Sequence, residues 1–373
     1  IETLLIIDSN VLEFDAVVIG AGVIGLAIAN EIADIYDNVL VLEKESDFGQ
    51  HVSSRHSGVI HSGIYYEPNS LKAKLCVEGN ILLYDFCKKN AIDYINCGKL
   101  IVGHNEEDLS DLKRLMNNGI VNGVIGIELL NSEGAKKKEP LVKCNNALWV
   151  PTTGIVDSHG IMQSLESICK TKGVVIQYNS ELVSLDYKSE NYRLSLKSED
   201  TIIESKCIVN SAGLWCDSIA NMLGMNDYKI HYCKGDYYGS RKRNRYNCLI
   251  YPLPEKYGLG VHSVIQLDGS VSFGPNAYYV DELDYSIDSR FHNDFYKSIN
   301  RYLNIEKDDL YPDYTGIRPK PFAEGEDPKD FVIQNESENG FPNLINLIGI
   351  ESPGLTCSLA IGKYVKNIIK SLE

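Results

Sequence analysis

The clearest pattern of hydrophobic and polar positions runs from Phe14 to Ser46, FDAVVIGAGVIGLAIANEIADIYDNVLVLEKES. The unbroken apolar run Ala16 to Ile19 predicts a strand buried on both faces. Apolar residues then recur at helical spacing, Ile24, Ala27, Ile28 and Ile32, and a second apolar run, Val39 to Leu42, predicts another buried strand. The strand-to-helix transition recurs at Glu204–Leu223, ESKCIVNSAGLWCDSIANML, and at Asn343–Leu372, where the last helix is expected to begin near Thr356.

Between these segments the period changes. Gly98–Val102 reads as a strand, Asn105–Met116 as a helix with an acidic first turn, and Ala147–Val156 as strand and turn. Ser158–Thr171 reads as a helix, and GVVIQYNSELVSLDY, Gly173 to Tyr187, as a strand pair. From about Asp227 to Tyr311 the chain is rich in Tyr and alternates as antiparallel strands do, in KGDYYGSR, CLIYPLP, YGLGVHSVIQ and SVSFGPNA. The expected fold is α/β. A discontinuous Rossmann-like cofactor domain (14–90, 150–225 and 312–373) is interrupted by an antiparallel-sheet substrate domain (91–149 and 226–311). The length of 373 residues suits two interleaved units.

The first βαβ unit carries Gly20-x-Gly22-x-x-Gly25 between strand and helix and Glu43 at the end of the second strand. Gly20 permits the tight turn, Gly22 admits a pyrophosphate to the backbone, and Gly25 lets helix and strand pack closely. The first helical turn, with Val23 and Ile24, offers free N–H groups to the phosphates. Glu43, followed by Lys44, suits unphosphorylated ribose hydroxyls, so NAD and FAD fit and NADP does not. The downstream turns at Ala212-Gly213 and Gly354-Leu355-Thr356, with Val183, converge better on a long FAD than on a detachable NAD.

Composition narrows the partners. Thirty-six basic residues against 51 acidic ones give a net charge of −15, which argues against nucleic acid and anionic membrane surfaces as general partners. A small anionic substrate then needs a local cationic pocket. The ten cysteines form no CxxC pairs and several lie in apolar runs, as in a reduced compartment. Ala16–Ala29, the longest uncharged apolar run, is short of the ~20 residues of a membrane span, and the N-terminal residues lack a signal-peptide pattern. Cytoplasm is the expected location, with the mitochondrial matrix or inner-membrane periphery the alternative if a leader was removed.

The stretch SRHSGVIHSGIYY, Ser54 to Tyr66, sets Arg55, His56, His61, Tyr65 and Tyr66 among small residues. No metal is expected, because His56 and His61 share neither a helical nor a strand face and no nearby Cys or Asp completes a ligand set. Gly and Ser are explained by backbone passing beneath a flat cofactor, which adds Ser54, Arg55, His56, Ser57 and Gly58 to the expected FAD contacts.

The order of parts resembles the L-2-hydroxyglutarate dehydrogenases, within the FAD-dependent D-amino-acid oxidase superfamily. It comprises the N-terminal GxGxxG with Glu43, then SSRHSGVIHSGIYYEPNSLKAKLCVEGN, CGKLIV, YPLP followed by GVH, DGS, GPNA, GIRPK and ESPGLT. The resemblance covers nearly the whole chain. It implies a fold of the glutathione-reductase-like type and oxidation of a 2-hydroxy acid by hydride transfer from Cα to the flavin, with electrons passed to a quinone, a carrier or oxygen. It departs from the family pattern at Lys234-Gly235 and Glu351-Ser352-Pro353-Gly354. A histidine suits the base that takes the hydroxyl proton, and His61 and His262 are the candidates, His61 preferred. His56 is expected at the flavin; in some members of the superfamily a histidine in this region carries a covalent flavin bond. The resemblance implies that Arg318 anchors the substrate carboxylate, with Tyr251 hydrogen-bonding it. Tyr65, Lys234, Tyr237 and Lys320 are expected lining residues. An amino-acid oxidase and a glycerol-3-phosphate dehydrogenase are the alternative enzymes, and a flavin-containing assembly or RNA-modification protein the alternative of another class.

Overall fold

A computed structural model describes residues 11–197, 200–242, 246–254 and 259–372. The N-terminal leader reading, and Tyr257 and Gly258 of YGLGVHSVIQ, fall outside the described residues. The βαβ unit is present: strand Val11–Ile19 turns at Gly20 into helix Val23–Ile32, and strand Val39–Leu42 lies parallel to the first, Ala16 opposite Val39. These strands are continuous apolar runs because both their faces are covered. One face packs on Val23–Ile32 and on helices Ser158–Thr171 and Gly354–Lys370; the other packs on the hairpin of Leu182–Lys188 with Asn191–Leu196 and on helix Cys216–Met222.

Strand Ile202–Asn210 lies beside Val11–Ile19 and divides its other edge between two neighbours. Ile202–Ser205 pairs antiparallel with Asn191–Leu196, and Ile208–Asn210 pairs parallel with Leu344–Ile348. The two strands read in Gly173–Tyr187 do not pair with each other. Val175–Gln177 extends the sheet beyond Val39–Leu42, and Leu182–Lys188 closes the opposite edge.

The antiparallel region departs from expectation in three ways. Strands His231–Ser240, His262–Ile265, Val271–Gly274 and Tyr278–Val280 do share a sheet, and Leu310–Lys320 joins it along almost the whole of His231–Ser240. Arg318 therefore stands inside an 11-residue strand. Leu249–Tyr251, from CLIYPLP, leaves that sheet and pairs parallel with Lys99–Gly103, in a four-stranded sheet with Asn146–Val150 and Glu128–Asn131. The third departure is helix His292–Asn300, whose Phe295 and Ile299, one turn apart, are both buried.

Helix Leu71–Lys89 carries no expectation from the sequence pattern, since its buried face mixes Ala73, Cys76, Gly79 and Asn80 with larger residues. It opens on Ser70, whose hydroxyl accepts from the Ala73 N–H. Gly79 lets it lie directly against the first turn of Gly354–Lys370, where a Cβ would stand 2.9 Å from Cys357 Cα and collide with the Thr356 carbonyl. Among the described residues no helix is long and apolar enough to cross a membrane.

Candidate active site

One elongated cavity of 710 Å³ runs from the carboxyl ends of the parallel strands to the antiparallel sheet, the place where open α/β sheets bind ligands. At its first end Glu43 is buried, with one oxygen accepting from the Ala21 N–H (2.8 Å) and the other from the Glu45 N–H (2.9 Å). These bonds hold the carboxylate at the cavity wall and leave lone pairs for ribose hydroxyls. Lys44 lies 3.3 Å over the Trp215 ring, and Trp215 packs edge-on against His51. Leu182, Ala212 and Gly213 complete this end.

The middle of the cavity is the glycine-rich turn. Gly20 has φ +103°, and a Cβ there would stand 2.8 Å from the Ser211 carbonyl oxygen. Gly22 begins the helix with no side-chain cap, Val23 donates its N–H to Ser53 Oγ at 3.1 Å, and Gly22, Val23 and Ile24 all line the cavity. Gly25 lies behind it, against Gly20 and Ser211. First-turn N–H groups with no internal partner are a ready anion site, so the residues present fit a pyrophosphate.

At the far end the three histidines differ. His56 has both ring nitrogens engaged: Nε2 donates to the Ser53 carbonyl (2.9 Å) and Nδ1 accepts from the Gly58 N–H (3.0 Å). His262 is pinned through Nδ1 to the Gly260 carbonyl (2.9 Å) and stacks on Tyr251 with centroids 3.8 Å apart. Burial, with the nearby cations Lys99 and Arg318, pushes it down to about 3 against the single opposing bond from Gly260. His61 donates its backbone N–H to Thr356 Oγ1 (2.9 Å), and its carbonyl accepts from Asn80 (2.9 Å). Its Nε2 lies 3.3 Å from Ser352 Oγ, and its buried Nδ1 has no partner among the described residues. Burial first, then Lys99, His262 and His56, hold His61 well below the usual histidine value, so it is a neutral acceptor at physiological pH.

Arg318 spends Nε on the Cys233 carbonyl (3.3 Å) and Nη2 on the Lys234 (3.2 Å) and Asn276 (2.9 Å) carbonyls. Five donors less three leaves Nη1 with two N–H groups for a carboxylate. Tyr237 stacks on Tyr314 at 4.3 Å, and Arg55, Ser57, Tyr65, Gly354 and Leu355 also face the cavity.

The remaining candidates stand elsewhere. Lys234 does not reach the cavity: it follows Cys233, which pairs with Arg318, so it projects to the opposite face of the sheet, where it meets Asp284 at 3.1 Å. Val183 is 49% exposed, and the wall takes Leu182 in its place. Ser54 and Gly58 face a separate hollow, Thr356 is buried behind His61, and Tyr251 lies one ring behind His262. Lys320 lines the cavity but is tied to Glu351 at 2.7 Å, and Lys72 reaches the same carboxylate at 3.3 Å. Ser53, Trp215 and Lys72 were missed, and Glu351 and Ser352 were named only as part of the loop that departs from the family pattern. All lie within the quoted sequence runs, yet nothing in their spacing marks them as lining residues.

A cavity that runs from a glycine-turn helix start to a buried histidine and arginine is the layout of a flavin-dependent oxidoreductase. The chain belongs to the FAD dependent oxidoreductase family, whose model matches residues 15–368, and FAD is its cofactor. It is 38% identical to the mitochondrial L-2-hydroxyglutarate dehydrogenase of Arabidopsis thaliana, over 95% of this chain and 83% of that one. It is 31% identical to the glycerol 3-phosphate dehydrogenase of Caloramator mitchellensis, over 96% of this chain and 74% of that protein. In structure it resembles L-alpha-glycerophosphate oxidase of Mycoplasma pneumoniae with FAD bound, at TM-score 0.88 and 26% identity over 96% of this chain and 95% of that chain.

Proposed function

We propose that the protein oxidises L-2-hydroxyglutarate, or a close L-2-hydroxy acid, to the 2-oxo acid. The observation that carries this reading is that one cavity wall holds both a neutral His61 and the free Nη1 of Arg318. The sequence likeness to L-2-hydroxyglutarate dehydrogenases supports the substrate class. FAD, when bound, supplies the acceptor for the hydride leaving Cα. His61 takes the hydroxyl proton as that bond breaks, which suits a base that is unprotonated at working pH. Arg318 Nη1 holds the C1 carboxylate, and Tyr237 and Tyr65 wall off water. His56, with no free nitrogen, serves as a fixed edge of the ring site.

Glu43, Lys44, Gly20, Gly22, Val23, Ile24, Ala212, Gly213, Gly354 and Leu355 would hold the FAD. On this reading residues 14–90, 150–225 and 312–373 form the cofactor domain, and 91–149 and 226–311 the substrate side. Electrons then pass to a quinone, a carrier or oxygen.

Anaerobic titration of the FAD-loaded protein tests the reading. Bleaching of the flavin band near 450 nm by L-2-hydroxyglutarate, and not by its D-enantiomer, is expected. Bleaching by glycerol 3-phosphate or an amino acid alone would overturn it.

A further inference from the structure

Lys99 is 0% exposed, and its ammonium has no hydrogen-bond partner among the described residues. A buried lysine is ordinarily paired, because an uncompensated charge in the interior is expensive. Here Nζ lies 4.3 Å from the Tyr65 ring centroid and 4.6 Å from that of Tyr251, so two aromatic faces take the place of a carboxylate. Both tyrosine hydroxyls are likewise buried without partners. Tyr65 lines the substrate end of the cavity, and Tyr251 stacks on His262, which lines it too. Lys99 thus stands directly behind the wall at Tyr65 and one ring further back at His262.

Of the other cations of this wall, Arg55 lies over the Tyr285 ring at 4.1 Å and the rest are tied to protein groups. Lys320 and Lys72 share Glu351, and Arg318 is braced by three carbonyls with one nitrogen left for a first carboxylate. We propose that Lys99 is a positioning cation of the substrate site: acting through Tyr65 and His262, it selects a substrate that carries a second negative charge. This rests on the reading of the site given above and adds the element that distinguishes a diacid from a monoacid.

The groups acting on Lys99 from the packed elements are consistent with that role. Burial dominates and lowers it to about 7, opposed only by the Cys76 thiol of helix Leu71–Lys89. Lys99 in turn lowers His61 and His262, after burial in each case. The protonated fraction of Lys99 behind the wall therefore attracts a dianion and adds to the burial that keeps both histidines unprotonated.

The test compares the FAD-loaded wild type, K99M and K99R with L-2-hydroxyglutarate and the monoacid L-2-hydroxyvalerate, across pH. The wild type should favour the diacid. K99M should lower the diacid-to-monoacid ratio of kcat/KM severalfold, through KM, as expected for loss of a partial charge screened by an effective dielectric of about 20. Its acid limb should move to higher pH, because the histidines lose a like-charged neighbour; K99R should keep both the ratio and the limb. If K99M does not accumulate with FAD, K99Q reads the same two quantities. Equal losses with both acids and an unmoved acid limb would make Lys99 a packing residue and overturn the inference alone. A wild type reduced by neither acid overturns the function reading and this inference with it.

Discussion

Replacing Glu351 by Gln removes one charge and almost no volume from a site where that charge holds two others. Its oxygens lie 2.7 and 2.8 Å from Lys320 Nζ, and one lies 3.3 Å from Lys72 Nζ, with the carboxylate and both lysines largely buried. In E351Q two ammonium groups face an amide and each other. Removing one partner of a buried ionic cluster costs about 3–5 kcal/mol, most of it from the charges left behind. With roughly 2.1 cal/mol/K of unfolding entropy per residue, that is a drop in Tm of about 4–6 °C for a chain of this length.

The pH dependence fixes the cause of the loss. Burial pushes the Glu351 carboxyl up, but Lys72, Lys320 and Arg318 together hold it below the usual glutamate value. A group depressed in the folded state stabilises above its unfolded pKa and loses that stabilisation as pH falls through the folded one. The gap between wild type and E351Q should be full at pH 7 and shrink below about pH 4.3. Thermal unfolding of the FAD-loaded proteins from pH 3 to 8, followed by circular dichroism and flavin fluorescence, measures it. A gap under about 1 kcal/mol at pH 7, or one that does not change with pH, would refute the electrostatic account.

Three further outcomes follow from the same geometry. Arg318→Met should lower kcat/KM for the hydroxy acid on the order of 100-fold or more while FAD content is retained, since a charged anchor contributes about 3 kcal/mol or more; steady-state kinetics with a flavin absorbance check reads it. Gly79→Ala should destabilise by about 1–3 kcal/mol by forcing helix Leu71–Lys89 off the Thr356–Cys357 backbone, measured as a lower Tm. Glu43→Gln should weaken FAD binding about tenfold or more by disturbing the contacts to Ala21 and Glu45 and removing the ribose acceptor, read by fluorescence titration of the apoprotein.

The cofactor half was legible because its signals are local. Continuous apolar strands, a glycine turn and an acid at the strand end lie within thirty-odd consecutive residues, and the bounds of Val39–Leu42 and Ser158–Thr171 agree with the pattern. The substrate side was less so. Lys234 was expected to line the site, but a strand turns successive side chains to opposite faces, and the register with Arg318 decides which. Leu249–Tyr251 has the texture of its antiparallel neighbours, yet pairs with a strand about 150 residues earlier, a choice no local pattern encodes. CGKLIV was visible as a strand, but the burial of Lys99 depends on Tyr65 and Tyr251, which arrive from distant segments.

The divided edge of strand Ile202–Asn210 bears on how the chain is made. Its second half stays bare until residues 344–348 are synthesised, and helix Gly354–Lys370, which supplies Gly354 and Leu355 to the cofactor cavity and Thr356 to His61, follows them. A nascent chain therefore carries a finished glycine turn but an open sheet edge and an incomplete site for most of its translation, and loop closure over more than 300 residues precedes cofactor capture. FAD loading thus waits for residues 344–370. Termination before residue 344 would leave that strand edge exposed to pairing with other chains, so aggregation should accompany the loss of flavin.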